Sequence, residues 1–486
     1  MILEKLISQI SKTNVLGNAN IEINKVCFDS RQVASGDLFI ATRGTTVDGH
    51  NFIHQAIESG AAAVVCEEIP NDETKKACFV QVENSLEALG IIACEYYGNP
   101  AEQLTLVGVT GTNGKTTTAT LLYKLFEALG YKTGLLSTVV NYIHTQAVEA
   151  THTTPDPLEL NALLAKMVDA GCSYAFMEVS SHAVEQRRIA GLHFAGGIFT
   201  NLTQDHLDYH GTMTEYLKAK KRFFDNLPAN AFALTNLDDK NGLVMLQNTK
   251  AAKHTYSQRT VADFKTKIIE ADINGMLLNM NEQEVYVSFV GKFNASNLTA
   301  VFGAAVLLGA DSAETLRIIS TLHSVSGRFE TINAPAGFVA IVDYAHTPDA
   351  LTNVISTINQ ILAGKDGRLI TVVGCGGNRD KTKRPLMAQE AVIGSWKAIL
   401  TSDNPRNENP TDILNDMLAG LNPLQKQQTL VIEDRRQAIR TACALAQKGD
   451  VVLIAGKGHE DYQIIQGVKH HFDDREEVKR VINDKM

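Results

Sequence analysis

A lysine and three threonines stand at positions 115–118, closing a turn with glycines at 108, 111 and 114 in the string GVTGTNGKTTT. Such a turn lets successive backbone N–H groups converge on phosphate oxygens, with Lys115 as the point charge for the terminal phosphates and Thr116 as a hydroxyl for Mg²⁺. Gly111, Thr112, Asn113, Gly114 and Thr117 complete the cradle. The strict G-x-x-x-x-G-K-[ST] pattern is missed by one position, because Val109 stands where a glycine is required. An apolar run over 104–109 precedes the turn and the helix-like TATLLYKLFEALG follows it, the setting in which this motif binds a nucleoside triphosphate.

Metal chemistry is suggested nearby. Glu178 closes a strand-like run at 175–179, and a carboxylate at a strand end beside a phosphate loop is a candidate Mg²⁺ ligand. His206 and His210 share the i, i+4 spacing of half a zinc site, yet no cysteine or acidic helix partner completes the set. His206 alone, near a second Mg²⁺, is the better reading, with His210 structural. In a helical segment over 214–224, Lys220 lies one turn from Tyr216 and beside Phe223 and Phe224. A desolvated lysine has a lowered pKa and a nucleophilic amine, which can capture CO₂ as a carbamate and become an anionic metal ligand. Spacing alone does not choose between Lys220 and Lys221.

Three polar stretches point to a second site: GCGGNRDKTKRP (374–385), SDNPRNENP (402–410) and AGKGHEDY (455–462), each beginning where an apolar strand run ends. In an open parallel sheet, segments after the carboxyl ends lie along one edge, where ligands bind. Arg379, Arg406 and Glu460 are thereby expected to share a site for a carboxylate-bearing ligand, since arginine presents a rigid bidentate fork. A small-molecule kinase would use the phosphate loop without needing this second site, and a nucleotide-dependent switch would lack the three loops.

The elements that must carry these residues alternate between strand and helix signals, which predicts an α/β protein. Its 486 residues are too many for one core. Three units are expected at 1–98, 99–326 and 327–486, the breaks marked by Gly98-Asn99-Pro100 and Ser326-Gly327-Arg328. The last unit carries five strand runs, at 338–343, 369–374, 398–402, 430–433 and 451–455. Lys+Arg 45 against Asp+Glu 54 gives −9 with no long basic block, which argues against nucleic acid as a partner. Seven scattered cysteines without a C-x-x-C pair suit a reducing compartment. MILEKLISQISK is too polar for a signal peptide and no apolar run reaches membrane-span length, so a cytoplasmic protein is expected.

The phosphate loop, HTTPDP (152–157), MEVSSH (177–182), TNLTQDHLDYHG (200–211), YLKAKKRFF (216–224), SGRFE (326–330), VDYAHTPD (342–349), DNPR (403–406) and GKGHEDYQ (456–463) together resemble the Mur ligases, over nearly the whole chain. The resemblance implies an N-terminal α/β uridine-nucleotide domain, a central P-loop ATPase-type parallel-sheet domain and a C-terminal Rossmann-like domain for the incoming amino acid. It implies an ADP-forming ligase, with ATP, Mg²⁺, a UDP-N-acetylmuramoyl-dipeptide and meso-diaminopimelate as ligands, working as a monomer. Carried over by residue, Ser30 would touch the UDP moiety. Thr153, Thr154, Ser181, Gln186 and Arg188 would hold the muramoyl-dipeptide. Lys115, His206, Arg328 and a carbamylated Lys220 would be catalytic, with Thr116, Glu178, His206 and Lys220 around the metal. Asn297, Arg328, Asp343 and His346 would meet ATP, and Arg379, Asp403, Asn404, Pro405, Arg406, Gly456 and Glu460 would hold diaminopimelate.

Overall fold

In the computed structural model, which describes residues 1–44, 47–70 and 76–483, the apolar run before the phosphate loop is the strand Thr105–Thr110. It lies inside an eleven-stranded sheet, flanked in parallel by Gly196–Phe199 and Tyr174–Glu178, with Val107 opposite both Gly196 and Phe176. Its side chains alternate between two cores. Val107 and Val109 pack with the helices Lys115–Ala128 and Lys292–Leu307, while Leu106 packs with Pro157–Asp169 and Met213–Asp225 on the other face. The first of these helices buries Leu121, Leu122, Leu125 and Phe126, each contributing about 1.5–3 kcal/mol. It has no side-chain cap, so packing along its length holds its N-terminus in place.

The expected parallel sheet is parallel only across its middle. One edge is an antiparallel meander of Phe264–Ala271, Met276–Met280 and Gln283–Val287, and the other carries the antiparallel strands Asn141–Ile143 and Gln146–Val148. The reason is connection length: Asn281-Glu282 and His144 turn with positive φ between adjacent strands, whereas a parallel pairing needs a long crossover.

The C-terminal sheet runs in the order Glu330–Asn333, Val339–Asp343, Val451–Ala455, Leu369–Cys375, Lys397–Ser402, Thr429–Val431, parallel except for its first strand. The late strand Val451–Ala455 inserts between two earlier ones. The loops that follow Val451–Ala455, Leu369–Cys375 and Lys397–Ser402 therefore leave adjacent strands on one edge, as the sequence pattern anticipated. The antiparallel edge strand Glu330–Asn333 and the hairpin Tyr462–Ile465/Val468–His471 were not anticipated, because their half-buried and exposed faces lack an apolar run. The N-terminal sheet orders Lys12–Leu16, Cys78–Val82, Ala63–Cys66, Leu38–Ile40 and Val26–Cys27, with only the first strand antiparallel. The chain is thus an α/β protein of three sheet-centred domains. Among the described residues no helix is long and apolar enough to cross a membrane, and all seven cysteines are buried with no disulfide between them.

Candidate active site

The phosphate loop is shaped by what its glycines leave room for. Gly111 and Gly114 have φ of +153° and +88°, and a Cβ would stand 1.8 Å from the Thr200 hydroxyl at the first and 2.5 Å from Asn297 Oδ1 at the second. The loop is stitched to the end of the neighbouring strand: Thr112 N donates to Asn201 O (2.8 Å), Asn113 N to Asn201 Oδ1 (2.9 Å) and Thr200 Oγ1 to Asn113 O (2.6 Å). The uncapped helix start leaves N–H groups for an anion. Lys115 Nζ donates to the carbonyls of Gly111 and Thr112, both at 2.9 Å. Burial lowers the pKa of Lys115, and the carboxylates of Glu178 and Asp205 oppose that shift.

A cavity of about 310 Å³ opens from the loop toward the C-terminal domain. Asn113, Gly114, Thr117, Asn297, Arg328, Asp343 and His346 all line it. Arg328 donates from Nη2 to Thr116 Oγ1 (3.1 Å), and its guanidinium lies 4.3 Å from the Tyr344 ring centroid. Asp343 is committed to the backbone: Oδ2 accepts from Phe329 N and Oδ1 from Ala345 N, both 2.7 Å, and burial raises its pKa. Its visible work is to hold the interdomain connector. His346 hydrogen-bonds the Tyr344 carbonyl through Nδ1 (2.8 Å), and burial pushes its pKa down to about 4.

A second cavity, about 500 Å³, lies on the other side of Tyr344 and His346, which line both. Thr153 and His206 enter it from the central domain. Arg379, Asp403, Asn404, Arg406, Gly456 and Glu460 enter from the three C-terminal loops. Pro405 is not on the wall; its carbonyl packs where a side chain on Gly377 would stand. The cavity has two poles. Arg406 donates Nη1 to Gly377 O (2.7 Å), and its pKa is lowered by burial and then by the nearby Arg379. Opposite them, the fully buried Lys457 reaches Glu460 (3.4 Å) and Asp403 (3.7 Å), and Asn404 Nδ2 donates to Glu460 Oε2 (2.8 Å). Burial, with Asp403 beside it, raises the pKa of Glu460.

Beneath the phosphate loop, Lys220 is 1% exposed; Nζ donates to Gly111 O (2.8 Å) and sits 4.5 Å from the Tyr216 ring centroid. Burial, reinforced by Lys115, holds its pKa well below the usual lysine range. Lys221 instead pairs with Asp225 at 2.6 Å. Glu178 is buried and accepts from Thr138 N (2.8 Å) and Thr138 Oγ1 (3.1 Å) on the same oxygen. His206 stands beside Asp205 at 3.4 Å, and the His182 ring lies 4.8 Å from it. His210 hydrogen-bonds Ser181 Oγ (2.9 Å). Among the described residues no three His, Cys, Asp or Glu side chains gather as a metal site.

A third cleft, about 360 Å³, separates the first and central domains and is lined by Phe28, Arg43, His152, Gln186 and Arg188, among others. Arg188 donates to Gln186 Oε1 (3.0 and 2.6 Å) and to Thr154 O (2.7 Å), and Thr154 Oγ1 to Glu178 O (2.8 Å). His152 lines this cleft and the second cavity. Ser30 does not line it: the residue is buried and its Oγ donates to Gln55 (3.3 Å).

Sequence reasoning missed Asp205, Lys457, His459 and Tyr344 as wall or support residues of these cavities. Asp205 and Tyr344 stood inside quoted strings, one residue from His206 and Asp343, so their neighbours were the available signal.

The chain matches three family models: "Mur ligase family, catalytic domain" over residues 22–97, "Mur ligase middle domain" over 109–305 and "Mur ligase, glutamate ligase domain" over 327–458. It is 62% identical over 483 residues to UDP-N-acetylmuramoyl-L-alanyl-D-glutamate–2,6-diaminopimelate ligase of Parabacteroides distasonis, covering 99% of each chain. Against the Clostridium tetani enzyme of the same name it is 40% identical over 492 residues, covering all of both. A solved structure bearing that name superimposes with a TM-score of 0.70 at 33% identity, covering 100% of this chain and 99% of the other. The MurF ligase of Thermotoga maritima in complex with ADP shares the fold, with a TM-score of 0.62 at 20% identity over 95% of this chain and 99% of its own.

Proposed function

The chain belongs to the Mur ligase family, and we propose from that premise how its residues work as an ATP-dependent ligase joining meso-diaminopimelate to the D-glutamate side-chain carboxylate of UDP-N-acetylmuramoyl-L-alanyl-D-glutamate, a step of peptidoglycan precursor synthesis. The observation that carries the reading is the wall of Tyr344 and His346 between the phosphate-loop cavity and the two-poled cavity. Phosphoryl transfer on one side and amine attack on the other then need no long displacement of the reacting carboxylate.

ATP occupies the first cavity, its phosphates on the loop and its remainder toward Asn297 and His346. The γ-phosphoryl group passes to the glutamate carboxylate, leaving ADP and an acyl phosphate. The free amine of diaminopimelate attacks the acyl carbon, the C–N bond forms as the C–O bond to phosphate breaks, and the amine proton leaves to solvent or phosphate. Lys115 and Arg328 offset the charge of the crowded anions, so catalysis is mainly positioning and electrostatic stabilisation. Thr116, Glu178, His206 and Lys220 as its carbamate would hold Mg²⁺, which would supply further charge neutralisation at the phosphates. The oxygen donors Thr116 and Glu178 suit a hard cation. The Lys220 amine suits it only after its neutral nitrogen has bonded to CO₂ and lost a proton, and deep burial of that amine favours the capture.

The muramoyl-dipeptide runs from the third cleft past His152 and Thr153 into the second cavity, with the uridine end on the first domain and Thr154, Ser181, Gln186 and Arg188 supporting its course. We set the domain limits at 1–98, 99–326 and 327–486 and read a cytoplasmic monomer. The test is phosphate release from ATP by the purified chain, with the product identified by mass spectrometry. Release should require both the UDP-muramoyl-dipeptide and meso-diaminopimelate. Release with the dipeptide and lysine alone at a comparable rate would replace diaminopimelate as the substrate.

A further inference from the structure

Neither Arg384 nor Glu408 touches the second cavity, yet both sit behind the loops that carry its two arginines. Arg384 is fully buried and grips Glu408 with both ends of its fork, Nη1 to Oε2 at 3.0 Å and Nη2 to Oε1 at 2.9 Å. Its Nη2 also donates to Gly376 O (3.3 Å), and Nη1 to Asp416 (2.8 Å). Glu408 in turn accepts from Asn378 N (2.5 Å), while Asn407 N donates to Asn378 Oδ1 (3.1 Å). The 376–379 loop and the 404–408 loop are thereby locked together, and the hydrogen bond from Gly377 N to Asn404 O (2.9 Å) closes the seam.

The lock holds two like charges at close quarters. A Cβ built on Gly376 would lie 2.8 Å from Arg406 Nη1 and 3.8 Å from Arg379 Cγ, so both arginines converge on one glycine. No carboxylate of the chain ion-pairs with either of them among the described residues. Their mutual repulsion acts to spread the loops, and a bidentate ion pair between the fully buried Arg384 fork and the half-buried Glu408 is stiff enough to oppose it. We infer that Arg384 and Glu408 are positioning residues which hold Arg379 and Arg406 at the spacing of a single carboxylate and so set the enzyme's choice of a diamino acid with a second carboxylate. This rests on the reading that diaminopimelate enters the second cavity.

The experiment measures steady-state kinetics of wild type, Glu408→Gln, Arg384→Lys and Asp416→Asn with diaminopimelate and with lysine. Glu408→Gln should raise KM for diaminopimelate at least about tenfold and shrink the preference over lysine about as much, because the site's polar groups lose their matched spacing. Its kcat at saturation should stay within about threefold, and KM for ATP and for the muramoyl-dipeptide within about twofold. Arg384→Lys keeps the charge but not the fork, and should move selectivity the same way. It also serves as the test if Glu408→Gln does not fold. Asp416→Asn releases only an outlying arm of Arg384 and should keep the wild-type selectivity.

An unchanged diaminopimelate-to-lysine ratio in folded Glu408→Gln and Arg384→Lys would overturn the inference. So would a ratio disturbed equally by Asp416→Asn, which would mean general loosening of the loops. A wild-type enzyme without preference for diaminopimelate would remove the functional reading beneath it.

Discussion

Two lysines meet at one carbonyl: half-buried Lys115 and buried Lys220 both donate to Gly111 O, at 2.9 and 2.8 Å. They differ in what surrounds them. Lys115 comes from the loop itself, and on the proposed function it exchanges the carbonyls of Gly111 and Thr112 for a phosphate, so Lys115→Ala should fold normally by circular dichroism while ligation falls by on the order of 10²–10³ or more. Turnover near wild type in that folded variant would remove the phosphate-loop assignment. Lys220 has no such freedom, being packed under the loop beside Tyr216. Lys220→Ala should lose activity and regain part of it with added formate or acetate, whose carboxylate stands in for the carbamate. Lys221→Ala should remain active, since its ion pair with Asp225 is remote from the loop; the reverse pattern would show that the wrong lysine has been chosen.

At the scale of elements, the loop after Lys397–Ser402 depends on a hairpin that follows much later in the chain. Arg406 takes φ +54°, bridges to Ile465, and exchanges backbone hydrogen bonds with Ile464 (2.9 Å) and Gln466 (2.6 Å). Asn404 Oδ1 accepts from Ile464 N (2.9 Å), and Gln463 Nε2 donates to Asp403 O (2.6 Å). Pro405 constrains its own φ, but the hairpin is what holds Arg406 in the left-handed region and aims its side chain. Arg406→Ala leaves these backbone bonds intact and should raise KM for diaminopimelate strongly while ATP and muramoyl-dipeptide binding change little. A charged hydrogen bond is worth about 1.5–3 kcal/mol, which corresponds to roughly 10–150-fold. Equal losses for all three substrates would instead mean that the domain had been disturbed.

Over the whole molecule, the joint between the central and C-terminal domains passes through Gly327. Its φ is +67°, and a Cβ there would stand 2.1 Å from His459 N and 2.2 Å from Gly458 C. Arg475 adds a clasp by hydrogen-bonding Ser326 and Asp473. Gly327→Ala should therefore separate the connector from the loop that carries Glu460, lowering kcat and Tm together. Gly98→Ala, at φ +76° with nothing within 4 Å, carries only the backbone strain and should cost less. Equal behaviour of the two would mean that contact at the joint does not matter.

The same region should make the fold sensitive to acid. Burial lowers His346 to about 4 and His459 to about 3 from an ordinary 6.5, so the folded chain keeps both neutral where the unfolded chain takes up protons. Their contribution to stability is complete above pH 6.5 and is lost as pH falls toward those folded values, at up to about 1.4 kcal/mol per pH unit for each. Calorimetry should show Tm falling between pH 6.5 and pH 4, with a shallower slope in His346→Asn/His459→Asn. An unchanged slope in that variant would show that other groups cause the acid sensitivity.

Local patterns determined the α/β class, the phosphate loop and the three loops of the C-terminal sheet, because each depends on a glycine, a charge or an apolar run within a few positions of its neighbours. The antiparallel edges of the central sheet escaped, since half-exposed strands such as Gln283–Val287 have too few apolar residues to stand out. Lys220 could not be distinguished from Lys221 along the chain; one helical step of rotation turns the first toward Gly111 and the second toward Asp225. That Asp343 spends both oxygens on Phe329 and Ala345, and that Ser30 faces Gln55, are likewise long-range outcomes. Tertiary structure alone decided that Tyr344 and His346 face two cavities at once. Two-sidedness belongs to a wall between domains, and a wall exists only when segments hundreds of positions apart are packed against it.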